Sequence, residues 1–327
     1  MAHHISSKRR LATMAGLLLC AVAGSAVAAD AATRVAANPS ADTRCGSAGA
    51  NAGEGCKRTP GAGRAYVYET LDYPGAALTI FWGLDDFGRL AGQYANAGEP
   101  SHAMTYRHGR FAPLDPAMLG ENFSAAGGPN DLGTTYGGYA DAAALQHGFV
   151  LRKGRFETVD FPGHLNSNVD GVDLSGTILG VYWDADVSFH GVLRKGGTDT
   201  PIDVDGARDT YPLGLNGQGE SVGYWDTDPS VTHGYYRGAD GHIATLDVPD
   251  AASTVAFSIN DRGQVAGYFT DTAGALHGFV RTGRQFQTLD VPGAVATIVT
   301  AINNWGSVAG EYFDASGVRH GFMGTLK

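Results

Sequence analysis

The sequence predicts an all-β protein, a six-bladed β-propeller with four strands per blade. Three observations carry that expectation. A period of about 44 residues recurs six times. Glycine fills 48 of 327 positions, about twice the usual ~7%. Turn-forming residues sit at fixed offsets inside every period. Aligned on one histidine column, His102, His147, His190, His233, His277 and His320, the copies lie 45, 43, 43, 44 and 43 residues apart. A second column, Asp72, Asp115, Asp160, Asp203, Asp247 and Asp290, keeps nearly the same period. No helical period of apolar residues competes with this pattern.

The segments follow in chain order. Lys8-Arg9-Arg10 precede an apolar stretch from Leu11 to Val27 that ends in Ala26-Val27-Ala28, so residues 1–28 read as a secretory signal cleaved before Ala29. Residues 29–64 are mostly Ala, Gly, Asn and Ser, too poor in large apolar side chains to order themselves, and a flexible leader is expected there. Within it Cys45 and Cys56, an even pair in an exported chain, are expected to form a disulfide. The propeller occupies residues 65–327. It opens on Tyr66–Leu71, a fourth strand without a blade, and ends at Lys327 after a third strand with no fourth to follow. Strand 66–71 is therefore expected to complete the last blade and remove its free edge.

Inside each copy, further columns hold. A hydroxyl opens the unit: Thr79, Ser124, Ser167, Thr210, Thr254 or Thr297. Six positions on stands Asp85, Asn130, Asp173, Asn216, Asn260 or Asn303, and three further on a glycine, from Gly88 to Gly306. That spacing is a tight turn with a left-handed residue at the glycine, joining the first strand to the second. A second glycine follows four residues later, from Gly92 to Gly310, and two past it an aromatic: Tyr94, Tyr139, Tyr182, Trp225, Phe269 or Tyr312. A small residue two before each turn Asn/Asp (Gly83, Gly128, Gly171, Gly214, Ser258, Ala301) marks where inner strands crowd the axis.

The phrase that begins T-L-D-V-P and ends H-G-F, nearly literal over 245–279 and 288–322, resembles the HAF-type extracellular repeat family, over roughly residues 66–327. Departures are His102-Ala103-Met104, His190-Gly191-Val192 and a second copy that lacks the D-x-P-G phrase. The resemblance implies a secreted repeat protein and no particular reaction.

Charge narrows the partners. The formal net charge is −10, and removal of the signal's three cations takes it to −13. That leaves no electrostatic basis for binding nucleic acid, and no membrane insertion is expected after cleavage. The expected product is a secreted or periplasmic monomer. No cofactor is called for. Calcium is the one ion the spacing could serve, at Asp203-Val204-Asp205-Gly206 or Asp170-Gly171-Val172-Asp173, although neither has the spacing of a complete calcium loop.

Each His faces an Asp across a hairpin: His147 with Asp160, His277 with Asp290, and His320 with Asp72 across the junction of the chain ends. Half a catalytic triad looks similar, but a site is needed once and this pair recurs in every copy, so it reads as a pin within the blade. Gly219-Glu220-Ser221-Val222-Gly223 imitates a nucleophile elbow, yet both glycines are repeat columns. Function is therefore sought in departures from the repeat. Polar groups expected at one channel mouth are Glu121, Asn122, His164, Asn166, Asn168, Asp170, Arg208 and Asp209. On the opposite face Trp305, Phe87 and Leu132, each preceding a turn glycine in adjacent blades, are expected to form an exposed apolar arc. The leading expectation is a non-catalytic binding or interaction module for an extracellular glycan or surface protein. The second is a carbohydrate-active hydrolase or lyase, with Glu121 and Asp170 as acid and base and His164 as a further catalytic candidate.

Overall fold

The computed structural model of the protein describes residues 65–114, Leu119 and residues 122–327. The signal, the leader, Cys45, Cys56, Asp115 and Glu121 lie outside the described residues. The described chain is all-β. An N-terminal strand β1 (Tyr66–Thr70) precedes the first unit, β2 (Leu78–Leu84), β3 (Leu90–Ala95), β4 (His102–Arg107) and β5 (Arg110–Pro113). The second unit is β6 (Ser124–Ala126), β7 (Thr135–Ala140), β8 (Gln146–Arg152) and β9 (Arg155–Val159). The third is β10 (Asn166–Val172), β11 (Ile178–Trp183), β12 (Phe189–Lys195) and β13 (Thr198–Ile202). The fourth is β14 (Asp209–Leu215), β15 (Ser221–Asp228), β16 (Val231–Arg237) and β17 (Ile243–Thr245). The fifth is β18 (Ser253–Ile259), β19 (Val265–Thr270), β20 (Leu276–Thr282) and β21 (Gln285–Leu289), and β22 (Ala296–Ile302), β23 (Val308–Phe313) and β24 (Arg319–Leu326) follow.

Four sheets have four strands each in sequence order. A fifth, of eight strands, joins β22-β23-β24 to β2-β3-β4-β5 through a single parallel pairing of Leu78 with Arg319. β1 pairs antiparallel with β24, from Tyr66 opposite Leu326 to Thr70 opposite Phe322. The first strand of each unit packs on the unit before it, and β2 packs on β22, β23 and β24.

The repeat columns acquire physical roles here. All six turn glycines have φ between 68° and 91°, a conformation that costs only glycine nothing. At each turn the Asn or Asp side chain accepts backbone N–H bonds from within the turn; Asn260 Oδ1 takes those of Arg262 and Gln264. In five copies the column hydroxyl accepts the amide that follows the D-column Asp, as in Val291 N to Thr297 Oγ1 at 3.0 Å, whereas Ser124 accepts the Ala103 amide because Pro116 has none to give. The second glycine lies against the first strand: a Cβ at Gly310 would stand 2.0 Å from the Ile298 carbonyl oxygen.

The H-G-F phrase divides three tasks. The His rings pair with the facing Asp through Nδ1, at 3.0 Å for His147–Asp160, 2.8 Å for His233–Asp247 and 2.8 Å for His320–Asp72. The aromatic column lies against these imidazoles, with ring centroids 4.8–5.8 Å apart in all six copies. The glycine leaves room for the fourth strand's carbonyl, which at Gly278 would meet a Cβ at 2.7 Å. Phe149, Phe279 and Phe322 then fill the space between sheets, fully buried.

Candidate functional site

Inner strands and their neighbours surround a central cavity of about 410 Å³. Trp82, Asp170, Leu213 and Phe257 occupy one repeat column, the residue before the small position, on β2, β10, β14 and β18. Tyr224, Tyr268 and Glu311 occupy another, between the second glycine and the aromatic, on β15, β19 and β23. Each inner strand shifts register just before the small residue wherever that pairing is described, as between Val169 and Gly171. Such a bulge re-aims a side chain locally. Trp82 and Phe257 stack at 5.6 Å and 21°, although their units are not neighbours in sequence. With Leu213 they also line a second cavity of about 130 Å³ at the other end, which is walled by the turn Asn and Asp residues of all six copies. The aromatic pair and Leu213 thus form the floor between the two.

Among the described residues four carboxyl groups line the larger cavity, in two kinds. Asp209 Oδ1 accepts the Phe189 amide at 2.9 Å and its Oδ2 lies 3.2 Å from Arg208. Glu311 holds Arg319 with two bonds of 2.6 and 2.8 Å. The other two are not neutralised. Burial pushes Asp170 well above the usual carboxylate range against a 2.6 Å bond donated by Asn168. Burial, and then the neighbouring Asp209, push Asp226 up to about 6, with Arg208 opposing. Asp170 Oδ2 and Asp226 Oδ1 are buried with no hydrogen-bond partner among the described residues. Aromatic faces complete the walls, Tyr211 and Tyr224 stacking at 5.5 Å and 5°.

Of the residues expected at the mouth, Asn168, Asp170, Arg208 and Asp209 come together in this cavity. Three others are engaged elsewhere, because the side chain of each meets a nearer partner. His164 pairs with Asp184 at 2.9 Å and stacks on Tyr182 at 3.7 Å. Asn166 is buried, accepting from the Gln146 amide and donating to the Trp183 carbonyl. Asn122 donates to the Asp141 carbonyl at 2.6 Å. The sequence reading did not single out Trp82, Tyr211, Tyr224, Asp226, Phe257, Tyr268 or Glu311. The signal that could have found them is variation within the columns that flank the constant ones.

On the opposite face Trp305, Phe87 and Leu132 are exposed by 63%, 68% and 68%. Trp305 Nε1 donates to the Asp86 carbonyl at 3.1 Å, and Arg262 and Arg89 lie over the Trp305 and Phe87 rings. Ser221 of the elbow-like motif is buried on β15. Among the described residues no group of three or more His, Cys, Asp or Glu side chains is arranged to hold a metal ion.

These features define an all-β repeat protein with a carboxylate-bearing, aromatic central cavity. No protein-family model matches the chain, and no curated protein matches it. Solved structures do. A putative TolB from Agrobacterium tumefaciens is 11% identical over 81% of this chain and 90% of that one, with a TM-score of 0.52. A lectin from Aleuria aurantia, described as a six-bladed β-propeller that recognises fucose, is 10% identical over 65% of this chain and 76% of that one, TM-score 0.43. A gluconolactonase from Xanthomonas campestris is 12% identical over 76% and 87%, TM-score 0.43. The likeness to the first concerns the fold alone.

Proposed function

We propose that the chain is a six-bladed β-propeller of the HAF type, closed by β1, and that it acts outside the cytoplasm as a non-catalytic binding protein taking a glycan into the central cavity. The closed ring is supported by the packing of β2 on β22, β23 and β24 and by a cavity to which all six copies contribute. The observation that carries the function is the cavity's lining, aromatic faces beside carboxyl groups, which is the chemistry that stacks on sugar C–H faces and hydrogen-bonds sugar hydroxyls. Secretion or periplasmic residence rests on the N-terminal signal. Trp305, Phe87 and Leu132 offer a surface protein a separate docking face.

A second reading, glycan cleavage, is favoured by one observation: Asp170 and Asp226 share the cavity and burial raises both. One experiment separates the readings. The purified protein is incubated with a polysaccharide panel while binding and new reducing or unsaturated ends are followed in the same samples. Binding without products is the expected result. Products that vanish in Asp170→Asn would replace it with the enzymatic reading, and silence in both measurements would overturn the glycan site.

A further inference from the structure

The four cavity carboxyls are unequal in a way that points to the ligand's charge. Asp209 and Glu311 already have Arg208 and Arg319. Asp226 is only 3% exposed, and its Oδ1 meets no donor among the described residues; the same holds for Asp170 Oδ2. Arg208, the one Lys or Arg among the described residues that lines the cavity, is committed to Asp209. An ionised carboxylate buried without a counter-charge is costly, and a neutral sugar would leave that cost in place. A ligand that brings its own cation removes it. Tyr211, Tyr224 and Tyr268 supply π-faces, which attract both sugar C–H groups and a nearby ammonium. The volume, about 410 Å³, lies near the lower end of the range of about 300–1,000 Å³ for small-molecule sites. It suits one or two sugar units rather than a folded partner.

Resting on the glycan reading above, we infer that the cavity selects an amino sugar with a free, protonated amine, the ammonium set against Asp226 and a ring hydroxyl against Asp170. The titratable and charged groups facing Asp226 are Asp209, Arg208, Asp228 and Tyr224, and burial with the first three places its ionisation at about 6. The groups facing Asp170 are Asn168, Tyr136 and Tyr235. Burial raises Asp170 well above the usual carboxylate range, Asn168 already bonds its Oδ1, and its Oδ2 has no donor among the described residues, so the ring hydroxyl is assigned to Asp170 and the amine to Asp226. Affinity for the amine therefore rises as pH rises through the Asp226 value, while the ligand remains protonated.

The test is calorimetric titration of the purified protein with three disaccharides of equal ring geometry: the glucosamine dimer, its N-acetylated form and the glucose dimer. At about pH 7 the free-amine dimer is expected to bind about tenfold or more tighter than the other two, the worth of one charge-assisted hydrogen bond. That preference should shrink at about pH 5, where Asp226 is protonated. Asp226→Asn should abolish it, the free-amine dimer then binding no tighter than the glucose dimer measured on the same variant. The pH comparison on the unmodified protein needs no variant, so the inference stays testable if Asp226→Asn folds poorly. Equal affinities for all three would overturn the amine assignment and leave the glycan site standing. An amine preference that survives in Asp226→Asn would also overturn it, by placing the cation elsewhere on an acidic surface. If none of the three binds while the polysaccharide panel yields a ligand, the amine assignment falls alone; if the panel is silent too, both fall.

Discussion

Asn260 performs two jobs with one side chain. Its Oδ1 accepts two turn amides, and its Nδ2 donates to the Asn303 carbonyl of the next unit at 2.8 Å. Asn303 does the same towards Asp85 at 3.0 Å, and Asn216 towards Asn260 at 3.2 Å. An Asp in this column keeps the first job and loses the second, because an ionised carboxylate has no donor. Where the column is Asp85, Arg89 pairs with the carboxylate and itself donates to the Asn130 and Asp131 carbonyls. Asp173 accepts from Thr177 and Ser175, and a bond to the fourth unit is not among those it makes. Asn260→Ala should therefore cost about 1–3 kcal/mol in chemical denaturation, and Asp173→Asn should gain about 1 kcal/mol.

His320 makes a separate prediction. Burial lowers its basicity but is outweighed by Asp72, with Asp314 adding to it, and its ionisation lies above the usual 6.5. Its contribution to stability is then fully present below about pH 6.5 and lost as pH rises through the folded value. His320→Gln should lower Tm at about pH 6 and much less at about pH 9. A Tm difference independent of pH would refute the pairing as the cause.

The strand pairs show why glycine is so abundant. In the five units whose register shift is described, the second glycine sits opposite the residue before the shift, and the carbonyl of the preceding inner-strand residue fills the place a Cβ would take, as at Gly267 beside Val255 and Gly223 beside Tyr211. Backbone cannot move aside as a side-chain tip can. Gly310→Ala, which would place a Cβ 2.0 Å from the Ile298 oxygen, should destabilise by about 1–3 kcal/mol or more. Gly154→Ala makes a useful contrast: nothing stands near its Cβ, so the cost there is only the strain of φ +78°. Denaturant midpoints of the two variants measure the difference. The third-to-fourth strand turns are equally local in origin, Lys153-Gly154 having φ of 50° and 78°, the two-residue form that suits the strands' twist.

The pairing of the first strand with the last is a property of the whole chain. Asp72, two residues past β1, pairs with His320 248 positions away, and Tyr66 Oη reaches the Gly306 carbonyl at 2.9 Å. In the proposed propeller this strand is what holds the last unit to the first. Deleting residues 66–71 should leave β24 an unpaired edge, so the truncated chain is expected to lose cooperativity in thermal unfolding and to associate on size-exclusion chromatography. A monomer with unchanged Tm would show that the packing of β2 on its neighbours suffices. The same long-range geometry makes the floor of the cavity, since Trp82 and Phe257 meet only because distant units face each other.

What could be read from the sequence alone was everything that repeats. Turn glycines, the Asn/Asp column, the His–Asp pins and the strand that pairs with β24 are set by local sterics or by spacing, so their positions follow from the period. The exposure of Trp305, Phe87 and Leu132 was legible too, since the tip of a tight turn points outward. The site was legible only in part. Asp170, Asn168, Arg208 and Asp209 stand out as departures, while Tyr224, Asp226 and Phe257 lie in columns whose variation looks like noise until the inner strands are assembled. Tertiary structure decided which departures meet, because a central cavity collects residues from units far apart in the chain. It also decided which charges go unpaired. His164 found Asp184 and Asn166 found the backbone, whereas Asp170 and Asp226 each kept a buried oxygen with no donor among the described residues. Pairing of that kind depends on distances across the assembled sheets, which no spacing along the chain contains.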